Sequence, residues 1–229
     1  MQKDSRMEER QKLYDYLKSF LTEERLAKIE QYATQSSDFV LPVMEDIYQF
    51  RNAAAIVRSV EACGFHRIVA MQDRNNFKPE YKVARGADTW VQVDRVERNI
   101  ETLQNLRAEG YRIVAVSPEK NATALPDFEI NAPTALLFGT EWQGVSDEIL
   151  DACDETLMIP MYGFTKSFNV SVAAGICMYE LKQKLLRSGI DYLSDDEKQL
   201  ELKIRWAVNS IRSGDEVLSH YLANRSTVH

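Results

Sequence analysis

Residues 39–188 predict an α/β fold, a mostly parallel sheet with helices on both faces, flanked by N- and C-terminal helices. Three observations predict it. Short β-rich runs alternate with stretches of helical period, two of those helical stretches stop at a glycine, and beyond Asn169 the strand-like runs cease while helical periodicity continues. The chain has 229 residues, 45% of them hydrophobic and 28% charged, which suits one core domain with appendages. The expected boundaries are 1–38 for an N-terminal helical extension, 39–188 for the core and 189–229 for a C-terminal helical tail.

In chain order, Leu13, Tyr16, Leu17, Phe20 and Leu21, then Leu26, Ile29 and Tyr32, recur at the spacing of an amphipathic helix over 8–34. Thr22, followed by Glu23 and Glu24, reads as an N-cap that splits this stretch in two. Strands are expected at 39–44, 67–71, 90–93, 112–116, 134–138 and 156–161. Helices are expected at 52–63, ending at Gly64, and at 94–109, ending at Gly110, because glycine most readily takes the left-handed conformation just past a helix. Residues 169–188 read as a helix ending near Gly189. Ser194 begins another, with Asp195, Asp196 and Glu197 in its positive first turn.

Composition excludes several classes of function. The longest apolar stretches are a handful of residues, far short of the roughly 20 that cross a bilayer. The opening MQKDSRMEER carries charges of both signs and no apolar segment, so a cytoplasmic protein is expected. Cys63, Cys153 and Cys177 form no C-x-x-C, which argues against a disulfide framework and against a metal site. His66, His220 and His229 are scattered, and none sits in a recognisable nucleophile–base setting. The net charge of −7 argues against an anionic partner, but the ends are nearly balanced: seven basic against eight acidic residues in 1–38, and eight against seven in 182–229. Any basic face there must come from folding.

Ligands of open α/β sheets bind at the C-terminal ends of strands, so the loops after strands carry the candidate chemistry. Three stand out. In R-N-A-A-A-I-V-R-S at 51–59, Asn52 can cap a helix and Arg58 lies six residues on; a cap and a surface residue explain this segment equally well. In L-F-G-T-E-W-Q-G-V at 137–145, Gly139 and Gly144 allow close backbone approach on either side of Glu141, without forming a dinucleotide fingerprint or a phosphate loop. In I-P-M-Y-G-F-T-K-S-F-N-V-S-V-A-A-G at 159–175, Ser167, Asn169 and Ser171 cluster at a strand-to-helix junction, where they can satisfy helix donors or grip a ligand.

Taken together and in order, the three segments resemble the sequence motifs of the SpoU branch of SPOUT RNA methyltransferases. The likeness extends over about 13–188, with L-T-E-E-R-L-A-K-I near the front and A-R-G-A-D-T-W-V-Q-V at 84–93, and is similar to the TrmH group of tRNA guanosine 2′-O-methyltransferases. That resemblance implies a SPOUT fold with a C-terminal trefoil knot, which general folding rules alone disfavour. It also implies S-adenosylmethionine as cofactor and a homodimer. Carried over residue by residue, it implies cofactor contacts at Val116, Gly139, Ile159 and Phe168, and a catalytic group at Arg58 with Asn52, Glu141, Ser167 and Asn169 around it.

Such a site is chemically sensible without histidine. Methyl transfer from a sulfonium to a ribose oxygen needs in-line placement and loss of the 2′-OH proton, but no acid for the thioether that leaves. The family assigns the base to the arginine. A guanidinium, with a pKa above about 12, is equally suited to stabilising the developing alkoxide while the proton leaves by another route. The chain departs from the family where D-P-x commonly precedes the first motif's asparagine: it has Gln49, Phe50 and Arg51. Phe168 stands in place of the usual leucine, and Lys166 adds a charge.

The resemblance implies the D-loop guanosine of a tRNA as target, with ribosomal RNA, or RNA binding without catalysis, as the alternatives. An acidic chain binds such a polyanion by gathering basic side chains on one face. Arg51, Lys166, Lys182, Lys184 and Arg187 are the candidates.

Overall fold

The computed structural model describes residues 2–47, 49–72, 89–118 and 121–226, so the first five residues of the 84–93 run lie outside the described residues. The chain forms two compact units, 37–192 and the two ends together, 1–36 with 193–229.

In the unit built from the ends, α1 (Gln2–Lys18) and α2 (Glu23–Ala33) join α7 (Asp196–Ser210) and α8 (Gly214–Ser226). Thr22 caps α2 as the sequence predicts, its hydroxyl accepting the Arg25 N–H at 3.2 Å. Asp195 caps α7 through the Lys198 N–H at 2.9 Å, one residue later than Ser194. Tyr14, Leu17, Ile29, Leu200 and Trp206 are buried between these helices. Glu30 gathers polar groups at the edge of that core, accepting from the Tyr14 hydroxyl at 2.8 Å and pairing with Lys203 at 2.6 Å.

The other unit is an α/β core. Its strands are β1 (Val40–Glu45), β2 (Arg67–Gln72), β3 (Gln92–Glu97), β4 (Arg112–Val116), β5 (Thr123–Ala124), β6 (Thr134–Phe138) and β7 (Glu155–Met158). They form one sheet in the order β3-β2-β1-β6-β4-β7-β5, and every described pairing is parallel. The central β1 and β6 are buried along their whole length, as strands covered on both faces must be.

Alternation sorts their side chains between two cores. Val40, Met44, Leu136 and Phe138 face α3 (Phe50–Ala62) and α6 (Val170–Ser188), while Leu41, Val43, Ala135 and Leu137 face α4 (Ile100–Ala108) and α5 (Asp147–Asp151). This is the period-two geometry of a strand applied to a two-sided core. Ser59 lies 3.4 Å from where a Cβ on Gly175 would stand, so the small residues of α6 permit close packing on α3.

The structure corrects the sequence expectation around residue 94. Residues 94–97 continue β3 rather than open a helix, and α4 starts at Ile100 with Asn99 as its cap, accepting the Thr102 N–H at 2.9 Å. Asp94 is held in the strand by Arg67 of β2 at 2.7 Å, and a sheet edge tolerates such charges. The strand expected at 156–161 stops at Met158, which leaves residues 159–169 as a loop. Helix α3 begins at Phe50 with Gln49 in the cap position, so Asn52 sits inside the first turn and does not cap the helix.

Candidate active site

The C-terminal ends of β1, β4, β6 and β7 point to the same edge of the sheet, and the loops after β4, β6 and β7 surround a cleft of about 360 Å³. After β6 the chain reverses in a tight turn. Thr140 and Gly144 exchange two backbone hydrogen bonds of 2.9 Å each, and the Thr140 hydroxyl accepts the Gln143 N–H at 3.1 Å. The turn requires both glycines. A Cβ on Gly139 would stand 1.9 Å from the Gly144 carbonyl oxygen, and Gly144 takes φ +69°. Glu141 and Trp142 are thereby projected from the turn's tip.

A buried carboxylate fixes the far side of this turn. Glu45, at the end of β1, is 2% exposed and accepts both the N–H and the hydroxyl of Ser146, at 3.0 and 2.5 Å. Arg98 pairs with the neighbouring Asp46 at 2.9 Å.

Three of the expected site residues meet at Glu141. Asn52 Nδ2 donates to Glu141 Oε1 at 2.9 Å, and Asn169 Nδ2 donates to the same oxygen. Asn169 Nδ2 also lies 3.2 Å from Asn52 Oδ1. Asn169 does two things at once: its Oδ1 caps α6, accepting the Ser171 N–H at 2.9 Å, while its amide nitrogen faces Glu141. Capping and site-building are therefore compatible roles of one side chain. Gln49, which the sequence marks only as a departure from the family's D-P-x, completes the group. Its Nε2 donates to Glu141 Oε2 at 3.2 Å and its Oε1 accepts from Asn52 at 3.1 Å.

The cleft wall includes Val116, Gly139, Ile159 and Phe168, together with Glu141, Lys166 and Ser167. Its surface is largely apolar, lined by main chain and by the side chains of strand ends. No cysteine is among the residues lining the cleft, and burial pushes the thiols of Cys153 and Cys177 up to about 12. Among the described residues no cluster of metal-ligating side chains occurs.

The model of the SpoU rRNA Methylase family matches residues 40–179, which span the sheet and every loop of this cleft. The chain belongs to that family.

The chain is 35% identical over 190 residues to the tRNA (guanosine(18)-2′-O)-methyltransferase of Borreliella burgdorferi, covering 83% of this chain and 87% of that one. It superposes on the crystal structure of the TrmH/SpoU tRNA modifying enzyme of A. aeolicus with a TM-score of 0.73 at 27% identity, over 83% of this chain and 98% of that one. The AviRb SpoU methyltransferase of Streptomyces viridochromogenes in complex with AdoMet gives a TM-score of 0.56 at 26% identity, over 66% of this chain and 59% of that one.

Arg58 stands apart. It is exposed on α3 about 9 Å along the axis from Asn52, and among the described residues no hydrogen bond or ion pair joins it to Glu141 or Asn169. The basic candidates divide as well. Arg51, Lys166 and Arg187 are exposed. Lys184 is turned onto the Pro126 and Phe128 carbonyls at 2.6 and 2.9 Å. Lys182 lies over the rings of Phe65 and Tyr192, at 5.5 and 4.7 Å from their centroids, where burial lowers its pKa from the usual lysine value.

Sequence reasoning missed Glu45 altogether and named Gln49 without placing it in the site. Gln49 left a usable signal, since it lies one helical turn before Asn52 at the start of a helix. Glu45 left none, because its partner Ser146 is 101 residues away.

Proposed function

We propose that this SpoU methylase transfers the methyl group of S-adenosylmethionine to a ribose 2′-OH of RNA, and that its target is the D-loop guanosine of a tRNA. The observation that carries the reading is the convergence of Asn52, Glu141 and Asn169 at the rim of a cleft lined by Val116, Gly139, Ile159 and Phe168. The names of the relatives support the tRNA target, and the AdoMet complex of the AviRb methyltransferase supports the cofactor.

The cleft fits that cofactor. Gly139 leaves bare main chain at its wall because a Cβ there would strike the Gly144 carbonyl, and the volume lies in the range of small-molecule sites. Val116, Ile159 and Phe168 would pack on its flat and aliphatic parts, with main-chain groups of the 139–144 turn supplying hydrogen bonds. S-adenosylmethionine supplies a methyl group on a sulfonium, already activated for displacement.

What the chain must add is placement of the ribose and an outlet for its proton. Glu141, tied by three amides, offers a fixed carboxylate at the rim of the cleft that Ser167 also lines. Arg58 supplies the side chain that stabilises the developing alkoxide as a guanidinium or, in its neutral form, takes the proton.

Arg58 serves the cleft of a second subunit, which accounts for its exposed position in the single chain. A homodimer is supported by the face of α6 on which Val172, Tyr179 and Leu186 are 48, 62 and 57% exposed at heptad spacing. Further parts of the proposal are a trefoil knot in the C-terminal part of the core and a cytoplasmic location. No described helix is long and apolar enough to cross a membrane. Arg51, Lys166 and Arg187 are the proposed phosphate contacts; the ammonium groups of Lys182 and Lys184 are engaged within the core unit.

The test is incubation with labelled methyl donor and total tRNA or ribosomal RNA, followed by nucleoside mapping. Label in 2′-O-methylguanosine of the tRNA D-loop is expected. Label in ribosomal RNA alone would redirect the target, and label on a base nitrogen would refute the reading.

A further inference from the structure

Glu141 receives three side-chain amides, and two of them have other structural duties. Asn169 caps α6, and Asn52 is 8% exposed in the first turn of α3, in contact with Asn169. The third, Gln49, is exposed, and its side-chain cap position goes unused: it makes no hydrogen bond to the free N–H groups of α3. Its amide instead spans the other two members of the group, accepting from Asn52 at 3.1 Å and donating to Glu141 Oε2 at 3.2 Å.

The orientation of that amide is chemically demanding. Asn52 and Asn169 both donate to Oε1 of Glu141, and Gln49 donates to Oε2. Without Gln49 the carboxylate is anchored through one oxygen and can turn about its Cγ–Cδ bond. With it both oxygens are held, so the plane of the carboxylate is fixed relative to the cleft. A side chain that only accepts, such as a carboxylate, can keep the bond from Asn52 but places a second acceptor against Glu141. An apolar side chain of the same length keeps the space and loses both bonds.

We infer that Gln49 is a positioning residue of the methyl-transfer site, and that its amide sets the rotation of the Glu141 carboxylate at the cleft rim while locking Asn52 to it. The inference rests on the proposed RNA methyl transfer for its kinetic consequence, and on the hydrogen bonds alone for its structural one. Gln49 acts through Glu141, so its loss slows turnover and leaves the donor's own contacts in place.

The experiment compares Gln49→Met, which keeps the space and loses both hydrogen bonds, with the wild-type chain. For Gln49→Met, kcat is expected to fall about tenfold, with the donor dissociation constant from calorimetry within about twofold of wild type. A kcat for Gln49→Met within about twofold of wild type would overturn the inference, and so would a donor affinity that falls in step with kcat.

A second measurement stands apart from catalysis. In side-chain amide NMR spectra of the wild-type chain, the Gln49 NH2 resonances are expected to move when Glu141→Gln is introduced. Unmoved resonances would overturn the inference even in an active enzyme. A wild-type chain that methylates no RNA but shows the shift would instead overturn the proposed function alone.

Discussion

Asn52 and Arg58 stand on the same helix, six residues apart, and the fold surrounds one and leaves the other open. Asn52 is 8% exposed and hydrogen-bonded to Gln49 and Glu141, with Asn169 donating to its own side-chain oxygen. Arg58, nearly two turns on, is exposed. The difference follows from geometry: the start of α3 lies against the loops after β6 and β7, whereas Arg58 lies on the solvent side of the helix. The carboxylate–amide group is thus closed within one chain, and Arg58 is displayed outward. Under the proposed reading, in which Arg58 serves a second subunit's cleft, oligomerisation is a condition of activity rather than of stability alone.

The strongest way to break this comparison is to remove the displayed group. Arg58→Ala should lower methyl transfer by a factor on the order of 10³ while donor binding measured by calorimetry stays near wild type. Arg58→Lys should fail too, because an ammonium does not reproduce the planar fork of a guanidinium. Mixing Arg58→Ala chains with Gly139→Ala chains should restore part of the activity if subunits share the site. No recovery from mixed dimers would return Arg58 to its own chain's cleft.

Gly139→Ala attacks the enclosed half directly. The added Cβ meets the Gly144 carbonyl at 1.9 Å, so the turn that carries Glu141 must open. Donor affinity should weaken by about a hundredfold, with a stability loss of about 3 kcal/mol in chemical denaturation. Unchanged donor binding would remove this turn from the cofactor site.

A finer cut separates the two roles of Asn169. Asn169→Asp keeps the oxygen that caps α6 but replaces the donor to Glu141 with a second carboxylate. Turnover should fall about 10- to 100-fold with the melting temperature little changed. Asn169→Ala should lose the same turnover together with about 1 kcal/mol of stability from the missing cap. Equal melting and equal activity in the two variants would dissolve the distinction.

The same contrast between local and long-range structure decides what was legible in the sequence. The central strands β4 and β6 fall where their apolar runs predict, because burial on both faces leaves a continuous signal. Edge strand β3 was legible only at its start, where the expected strand at 90–93 meets Gln92 and Val93. Its residues Asp94, Arg95 and Glu97 resemble a helix start, and the Arg67 contact that holds Asp94 comes from 27 residues upstream. Asn52, Glu141 and Asn169 were each visible as polar groups at strand ends or helix starts. Their meeting was not visible from spacing, because the hydrogen bonds among them span 28, 89 and 117 residues. Lys182 and Lys184 illustrate the reverse limit: as charges in a helix they look available, and tertiary contacts occupy them.

Those lysines give the smallest effect and a direct comparison with an exposed one. Lys166 lines the rim of the cleft and is solvent-exposed, whereas the Lys184 ammonium sits on two backbone carbonyls. If Lys166 neutralises one RNA phosphate, Lys166→Ala should reduce the magnitude of the log–log salt slope of tRNA affinity by about 0.7 to 0.9 and leave the melting temperature alone. Lys184→Met should do the opposite, keeping the salt slope and costing about 1–3 kcal/mol of stability, because the Pro126 and Phe128 carbonyls lose a charged donor. The measurement is filter binding of the two variants across a salt series beside their denaturation curves. A slope that falls for Lys184→Met with stability intact would show that the ammonium leaves its carbonyls to meet RNA, and would return Lys184 to the binding face.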